Sequence, residues 1–209
     1  MQLVLATRNK DKIREIKHLL EDLPITILIF SDFLDFPEID ETGETLEENA
    51  ILKAKGIATF TGFAALADDS GLEVDALGGA PGVYSSRFAG PGCTYDDNNR
   101  KLLQDLQGIP EDRRAAHFRT VIAIAWNAGE IETVEGRVDG IIKTQKIGQS
   151  GFGYDPVFYY PPAKKTFAEM SLAEKNSLSH RGKALMKARD LLITHFNLMK
   201  DSGKQDTSI

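Results

Sequence analysis

Two adjacent carboxylates, Asp68 and Asp69, directly follow the apolar run from Phe63 to Ala67. The run predicts a buried strand that ends at these acids, and ligands of α/β sheets gather at such strand ends. Neighbouring anions repel each other. A bound Mg²⁺ ion, which prefers oxygen ligands, could relieve this repulsion. Alternatively, one carboxylate could act as a general base toward water, or the residues could form a simple turn.

A polar segment near the N-terminus offers a site for an anion. Residues 2–6 predict a short buried strand, and residues 9–20 predict a helix with one apolar face. The start of that helix presents unpaired N–H groups and the positive end of the helix dipole, so it attracts anions. Thr7 and Asn9 could add hydrogen bonds and Lys12 a positive charge. An ordinary capped helix with solvated basic residues is the alternative interpretation.

Glu41 closes an acidic stretch that runs from residue 32 to residue 41. Its carboxylate could bind a metal ion, but acidic runs of this kind are usually solvated loops. The sequence Thr45-Leu46-Glu47-Glu48 is a capping box and predicts a helix from there to about Phe60. That helix carries Lys53, which on its own is typical of surface charge.

A glycine-rich loop over residues 150–156 holds two aromatic residues, Phe152 and Tyr154. Its small residues allow the backbone to approach a flat ligand closely. Either ring could stack on a base, a contact worth roughly 1–3 kcal/mol. A core aromatic on a tight loop is the alternative, and it is the interpretation that we favour for Tyr154.

Basic side chains occupy the first turn of the last predicted helix, which spans residues 179–196. His180 and Arg181 could donate hydrogen bonds to an oxygen of a base, and Lys175, just upstream, could contact phosphate. A helix start capped by Ser179 is the alternative. Positive charge in a first turn opposes the helix dipole, which favours a functional role for these residues.

Several common phosphate-binding and hydrolase motifs are missing from the sequence. Gly182-Lys183 lacks both the upstream glycine and the following hydroxyl residue of a Walker loop, and Pro156 replaces the third glycine of a dinucleotide fingerprint. The chain has no HExxH pair and no serine nucleophile elbow. The chemistry must therefore be inferred from the smaller clusters described above.

The composition limits the class of protein. The 209 residues carry a formal net charge of -6 and a single cysteine. The acidic balance disfavours binding to a nucleic-acid polymer, and one cysteine cannot form an internal disulfide. The longest apolar runs are strand-sized and the N-terminus has no signal sequence, so we expect a cytoplasmic protein that does not enter a membrane.

The order of the elements predicts an α/β fold with a mixed sheet. Strands and helices alternate early, and a hairpin of residues 117–126 and 130–138, joined at residues 127–129, adds antiparallel strands. We expect a single domain over residues 1–196, followed by a polar, disordered tail over residues 197–209.

Taken in this order, the motifs resemble those of the inosine triphosphate pyrophosphatase family. The resemblance spans Leu3 to about Leu192 and departs from the family pattern at no motif position. Several of the matching blocks are long, which makes coincidence an inadequate explanation. The blocks are residues 5–12, Glu41-Thr42-Gly43, Asn49-Ala50, Lys53-Ala54, residues 67–72, residues 78–85, residues 152–156 and residues 179–184.

The resemblance implies an elongated mixed sheet flanked by helices, two lobes with a central cleft, and a homodimer. It also implies Mg²⁺-dependent hydrolysis of ITP, dITP and XTP to the monophosphate and pyrophosphate, which removes deaminated purines from the nucleotide pool. By position, the metal ligands would be Glu41 and Asp69, and the catalytic residues would be Asp69, which activates water, with Asp68 and Lys12. The substrate would contact Thr7, Arg8, Asn9, Lys10, Asp11, Lys12, Lys53, Ser70, Phe152, Gly153, Tyr154, Asp155, Lys175, His180 and Arg181.

Two other functions fit the same clusters. A Maf-like pyrophosphatase would perform the same reaction on pyrimidine nucleotides, although His180 and Arg181 argue against it. A non-catalytic nucleotide sensor would use the cleft without turnover. Against the sensor, Glu41, Asp68 and Asp69 would repel a triphosphate unless a metal ion lay between them. A panel of nucleotide substrates separates the three hypotheses.

Overall fold

The computed structural model describes residues 1–126 and 129–205 of the chain. The strands of this part are β1 (Gln2–Leu5), β2 (Thr26–Leu28), β3 (Ala64–Val74), β4 (Pro81–Gly82), β5 (Ala115–Trp126), β6 (Glu130–Ile142), β7 (Phe158–Tyr160) and β8 (Lys165–Thr166). The α-helices are α1 (Lys10–Leu19), α2 (Leu46–Thr61), α3 (Tyr95–Asp105), α4 (Leu172–Leu178) and α5 (His180–Gln205). Short 3-10 turns connect several of these elements.

The strands form one mixed sheet in the order β2-β1-β3-β5-β6-β7-β8, with β4 paired to β3. β1 runs parallel to both β2 and β3, as expected for strands that are joined through helices. The other neighbours are antiparallel, from β3 against β5 to β7 against β8. The predicted α/β fold, with a mixed sheet and an antiparallel extension, is confirmed.

Strand β3 corrects one prediction, because it does not end at the paired acids. It continues to Val74, and β5 supplies a backbone partner from Ala65 onward, including Asp68 opposite Ile122 and Asp69 opposite Val121. The expected strand end and the alternative turn are therefore both wrong. Successive side chains of a strand point to opposite faces of the sheet, so the two carboxylates face different surroundings. The two carboxylates therefore do not converge on one position.

Three hydrophobic clusters divide the molecule into two lobes. In the first lobe, α1 and α5 cover one face of the sheet around Leu66 and Ile122, and α2 covers the other face around Ala65 and Ala67. The second lobe is built around Phe118 and the far ends of the long strands, with α3 and the segment from β7 to α4. A cleft lies between the lobes, on both sides of β3.

Two helices begin at local caps: a capped start of α1 was the alternative interpretation of the polar segment, and the capping box of α2 was predicted. Asn9 caps α1, its Oδ1 accepting from the backbone N–H groups of Asp11 (2.9 Å) and Lys12 (3.3 Å). The predicted capping box starts α2, with the Glu48 backbone N–H donating to Thr45 Oγ1 at 3.1 Å. These signals act within a few residues, so they do not depend on the rest of the fold.

The last two helices differ from their predictions. Helix α4 has only seven residues, too few to show a helical period, and the sequence did not reveal it. Helix α5 continues to Gln205 instead of ending near Phe196, since no proline or glycine lies between Gly182 in its first turn and Gly203. The rest of the predicted tail, residues 206–209, and hairpin residues 127–128 lie outside the described residues. Among the described helices, none is both long and apolar enough to cross a bilayer.

Candidate active site

A cavity of about 310 Å³ lies in the cleft, a size within the usual range for small-molecule sites. Both lobes line it: the turn before α1, the loop before α2 and strand β3 from the first lobe, and the glycine-rich loop with α4 from the second. The first turn of α5 completes the wall. The predicted site residues that line it are Thr7, Arg8, Asn9, Lys12, Glu41, Lys53, Asp69, Ser70, Phe152, Gly153, Tyr154, Asp155, Lys175, His180 and Arg181.

Three predicted site residues are not among those that line the cavity. Lys10 is exposed at the start of α1, and Asp11 forms an ion pair with Arg14 at 3.0 Å. Asp68 is fully buried behind the cavity wall. Arg8 does line the cavity, but its guanidinium donates to the backbone carbonyl of Phe36, so part of its donor capacity serves to hold the loop before α2.

On one face of β3, Lys53 joins two carboxylates at the cavity. Its Nζ lies 2.6 Å from Glu41 Oε1 and 3.1 Å from Asp69 Oδ1, and it donates to the Asp68 carbonyl at 2.9 Å. Asn49 Nδ2 donates to the other oxygen of Asp69 at 3.4 Å. Lys53 is only 9% exposed, so the interpretation as surface charge is wrong. Helix α2 thus presents an ammonium and an amide to the carboxylate of β3.

Burial and charge set the protonation of this cluster. Burial raises the pKa of Asp69 above its ordinary value, and neighbouring Glu41 adds to the rise against the opposing charges of Lys53 and Lys12. Burial also disfavours the ionised form of Glu41, but the Lys53 ammonium outweighs it and lowers the pKa of Glu41. For Lys53, the charges of Asp69 and Glu41 outweigh burial and raise its pKa. Asp69 is therefore more basic than Glu41, the other carboxylate that contacts Lys53.

On the opposite face of β3, Asp68 is held by two cations. Lys12 Nζ lies 3.0 Å and Arg181 Nε 3.1 Å from Asp68 Oδ2, and Ser70 Oγ donates to the same oxygen at 3.2 Å. Burial alone would raise the pKa of Asp68, but these cations hold it well below its usual range. Asp68 therefore stays ionised and fixes the positions of Lys12 and Arg181.

Glu15 belongs to this cluster, although the sequence analysis missed it. It is 2% exposed, and its oxygens accept from Lys175 Nζ at 2.9 Å and from Arg181 at 2.6 Å. The two cations outweigh burial and lower the pKa of Glu15. Its position between Ile13 and Ile16, on the buried face of α1, was the available signal, because an acid there requires buried partners.

The glycine-rich loop is fastened by Asp155. Its Oδ2 accepts from the Phe152 backbone N–H at 2.8 Å and from Lys175 Nζ at 2.6 Å. Burial raises the pKa of Asp155 in spite of the Lys175 charge. The Phe152 ring in turn lies 4.5 Å from Lys175 Nζ and 5.4 Å from the Arg181 guanidinium. Tyr154 is buried, with its hydroxyl donating to the Ser85 carbonyl at 2.9 Å, as expected for a core aromatic.

His180 and Arg181 reach the cavity because α5 begins close to β6 and α4. A Cβ on Gly136 would lie 2.0 Å from the His180 carbonyl, and one on Gly182 would lie 1.7 Å from the Asn176 carbonyl, so only glycine permits this approach. The His180 ring stacks on Phe118 at 4.4 Å. Burial, with the charge of Arg181, lowers the pKa of His180 well below its ordinary value, so the imidazole is neutral at pH 7.

The buried carboxylates predict acid sensitivity of the fold. Asp68, Glu15 and Glu41 have lowered pKa values when folded, so their ion pairs stabilise the protein above the unfolded-state pKa of about 4. That stability is lost as the pH falls through the lower pKa values of the folded state. Asp69 and Asp155 have raised pKa values, so their contribution to stability is present at low pH and is lost as the pH rises. We expect the free energy of unfolding in urea to fall below about pH 4, and a constant or rising value there would contradict the ion-pair assignment.

Comparison with known proteins finds a matching family model and similar proteins that cover most of the chain. The model of the Ham1 family matches residues 3–191. The dITP/XTP pyrophosphatase of Desulforamulus reducens is 54% identical over 192 residues, covering 92% of this chain and 96% of that protein. That of Geobacter sulfurreducens is 49% identical over 191 residues, covering 91% and 96%.

A solved structure gives the same result. The HAM1 protein from Coxiella burnetii superposes with a TM-score of 0.85 at 42% identity, over 93% of this chain and 99% of that chain. The family match over most of the sequence and the shared fold agree with the motifs from which the resemblance was inferred. The chain therefore belongs to the Ham1 family.

Proposed function

We propose that this enzyme hydrolyses deaminated purine nucleoside triphosphates (ITP, dITP and XTP) to the monophosphate and pyrophosphate, and so removes them from the nucleotide pool. The observation that carries the proposal is a single cavity with a raised-pKa carboxylate and lysines at one part of its wall and a neutral imidazole, a guanidinium and an aromatic ring at another. The relatives named above as dITP/XTP pyrophosphatases support the same reaction.

Asp69 is the proposed general base. Its carboxylate lines the cavity, and burial raises its pKa, which makes it a better proton acceptor than Glu41 or Asp68, whose pKa values are lowered. Lys12 and Lys53 stand beside it and would stabilise the charge that develops on the leaving pyrophosphate. Asp68 holds Lys12 and Arg181 from behind the wall, and we assign it a positioning role in place of a chemical one.

The donor set also fits a Mg²⁺ ion. Among the described residues, no group of three or more His, Cys, Asp or Glu side chains could hold a metal alone. Glu41 and Asp69, however, both direct an oxygen at the Lys53 ammonium, so two carboxylates converge on one cationic position. Mg²⁺ is commonly held by one or two carboxylates together with substrate phosphates. Held by these two carboxylates, it would polarise the phosphate oxygens of the substrate.

The base would be recognised by His180, Arg181 and Phe152. Arg181 has five N–H donors, and three of them contact Glu15, Asp68 and Ser70, which leaves donors for a ligand. Among the described residues, the buried His180 Nδ1 has no hydrogen-bond partner, and we assign the single N–H of the neutral imidazole to this nitrogen. A 6-oxo group accepts such hydrogen bonds, whereas the 6-amino group of adenine would leave the buried donors unpaired, so ATP is disfavoured. Phe152 is placed to stack on the ring.

The proposal extends to the assembly and the location of the protein. A homodimer follows from the family resemblance, and a cytoplasmic enzyme that does not enter the membrane is supported by the composition and the single cysteine. The net charge of -6 argues for a small nucleotide partner and against a nucleic-acid polymer. Light scattering coupled to size exclusion tests the dimer directly, since a monomer mass would overturn it.

Pyrophosphate release from ITP, XTP, GTP, ATP and dTTP, with Mg²⁺ and with EDTA, tests the reaction. We expect turnover of ITP and XTP that EDTA abolishes, and rates on ATP and dTTP at least about a hundredfold lower. Turnover of dTTP in place of ITP and XTP would show that the substrates are pyrimidine nucleotides. Binding of ITP without turnover would identify a sensor, and activity that survives EDTA would remove the metal from the proposal.

A further inference from the structure

Tyr95, the first residue of α3, spans the mouth of the cleft. Its hydroxyl accepts a hydrogen bond from Asn9 Nδ2 at 3.1 Å, and its ring centroid lies 5.9 Å from that of Phe152. Asn9 belongs to the turn before α1 in the first lobe, whereas Phe152 and α3 belong to the second. Tyr95 is therefore a side chain that touches both the proposed phosphate turn and the proposed base-stacking ring.

The backbone of Tyr95 is fixed relative to the glycine-rich loop. Asn99, 3% exposed, donates from its Nδ2 to the Tyr95 carbonyl and to the Gly153 carbonyl, both at 2.8 Å. The first turn of α3 and the loop that carries Phe152 are thus tied together through one buried amide. A rigid first turn holds the Tyr95 ring at the cleft, so its position does not depend on packing of the ring itself.

The ring of Tyr95 is poorly explained as a structural residue. It is 43% exposed and lines the cavity, whereas Tyr154, which serves the core, is 4% exposed. An aromatic ring left half-exposed at a cavity mouth, against a second aromatic, has apolar surface available for a ligand. Tyr95 therefore has the exposure of a binding residue and the fixed backbone of a structural one.

The hydroxyl of Tyr95 has a proton available to a ligand. Asn9 Oδ1 already accepts from the N–H groups of Asp11 and Lys12, so the amide must present Nδ2 to the tyrosine. The hydroxyl is consequently the acceptor in that contact, and its own O–H remains a donor. Among the described residues, no acceptor for this proton is found, and it lies between the phosphate turn and the stacking ring.

We propose that Tyr95 is a substrate-contacting residue that closes the cleft over the bound nucleotide. Its O–H donates to an oxygen of the sugar–phosphate part of the substrate, and its ring shields the Phe152 side of the cavity. This inference rests on the proposed function, because it assumes a nucleotide whose phosphates lie at Asn9 and whose base lies at Phe152. Tyr95 adds affinity and takes no part in proton transfer.

Steady-state kinetics of Tyr95→Phe and Tyr95→Ala on ITP and dITP test the proposal, with Tyr84→Phe as the matched control. Tyr84 is 60% exposed and is not among the residues that line the cavity. We expect Tyr95→Phe to raise KM about threefold to tenfold, the range for one lost hydrogen bond, with kcat nearly unchanged. Tyr95→Ala should raise KM further, and Tyr84→Phe should leave it unchanged.

A comparison of ITP with dITP identifies which oxygen of the substrate accepts the hydrogen bond from Tyr95. A KM effect of equal size on ITP and dITP assigns the contact to a phosphate or shared sugar oxygen, and an effect confined to ITP assigns it to the 2′-hydroxyl; both support the proposal. An unchanged KM in both Tyr95 variants, or a fall in kcat and thermal stability alone, overturns it. If the wild-type enzyme does not release pyrophosphate from ITP at all, the proposed function fails independently of Tyr95.

Discussion

Replacing Asp69 with asparagine is expected to lower kcat for ITP by at least about a thousandfold. Of the two carboxylates that converge on Lys53, Asp69 is the one whose pKa burial raises. Asparagine preserves the size of the side chain, but it can neither take a proton from water nor offer an anionic oxygen to a metal ion. Pyrophosphate release under saturating ITP measures the loss.

The same substitution should leave the fold almost intact. Because burial disfavours the ionised form of Asp69, a neutral side chain removes an unfavourable charge as well as the contact with Lys53. We expect a free energy of unfolding within about 1 kcal/mol of the wild type. Asp40→Asn, in the exposed loop beside the site, is the control and should keep full activity. Retention of more than a tenth of kcat by Asp69→Asn would assign the activation of water to another group.

Asp68→Asn provides the sharpest comparison, since it changes the same atoms one residue earlier on the opposite face of β3. Asp68 is ionised, buried and paired with Lys12 and Arg181, so its loss releases both cations. A positioning role is expected to appear mainly as a higher KM and a lower free energy of unfolding. A pure loss of kcat in a stable Asp68→Asn protein would instead restore a chemical role for this residue.

The parts of the fold that sequence predicts well are those encoded locally. The Asn9 cap, the box formed by Thr45 and Glu48, and the hairpin strands β5 and β6 all depend on residues close together in the chain. The mixed sheet follows from their order. Most residues inferred from the family resemblance also line one cavity, because the matching blocks lie at loop and strand positions that meet in the cleft.

What the sequence could not supply depends on partners from distant segments. Two consecutive acids normally end a strand, but β3 continues because Lys53 neutralises Asp69 on one face and Lys12 with Arg181 neutralises Asp68 on the other. These cations come from α1, α2 and α5, whose packing no local pattern encodes. Asn99 was missed for the same reason, whereas Glu15 had a local signal in its apolar neighbours on α1.

Replacing Arg181 with methionine is expected to lower the free energy of unfolding by about 3–5 kcal/mol. The guanidinium contacts Glu15 at 2.6 Å, Ser70 at 3.0 Å and Asp68 at 3.1 Å, and the residue is only 3% exposed. Methionine fills much of the space but leaves two carboxylates with one cation each. Urea unfolding followed by Trp126 fluorescence measures the change. Arg137→Met, whose partner Asp139 is exposed, should alter stability little.

A double-mutant cycle separates the structural part of this effect from the chemical part. Glu15→Gln alone should also destabilise the protein, because it leaves Lys175 and Arg181 short of negative charge. The double variant with Arg181→Met should lose less free energy of unfolding than the sum of the two single variants, with a coupling of at least about 1 kcal/mol. The reason is that the second change removes a charge that the first had left unpaired.

Activity on ITP should not recover with stability, because the donors proposed to read the base are still missing. Additive losses of stability would mean that Glu15 and Arg181 do not form the pair seen in the structure, and recovery of activity would mean that Arg181 acts only through the fold.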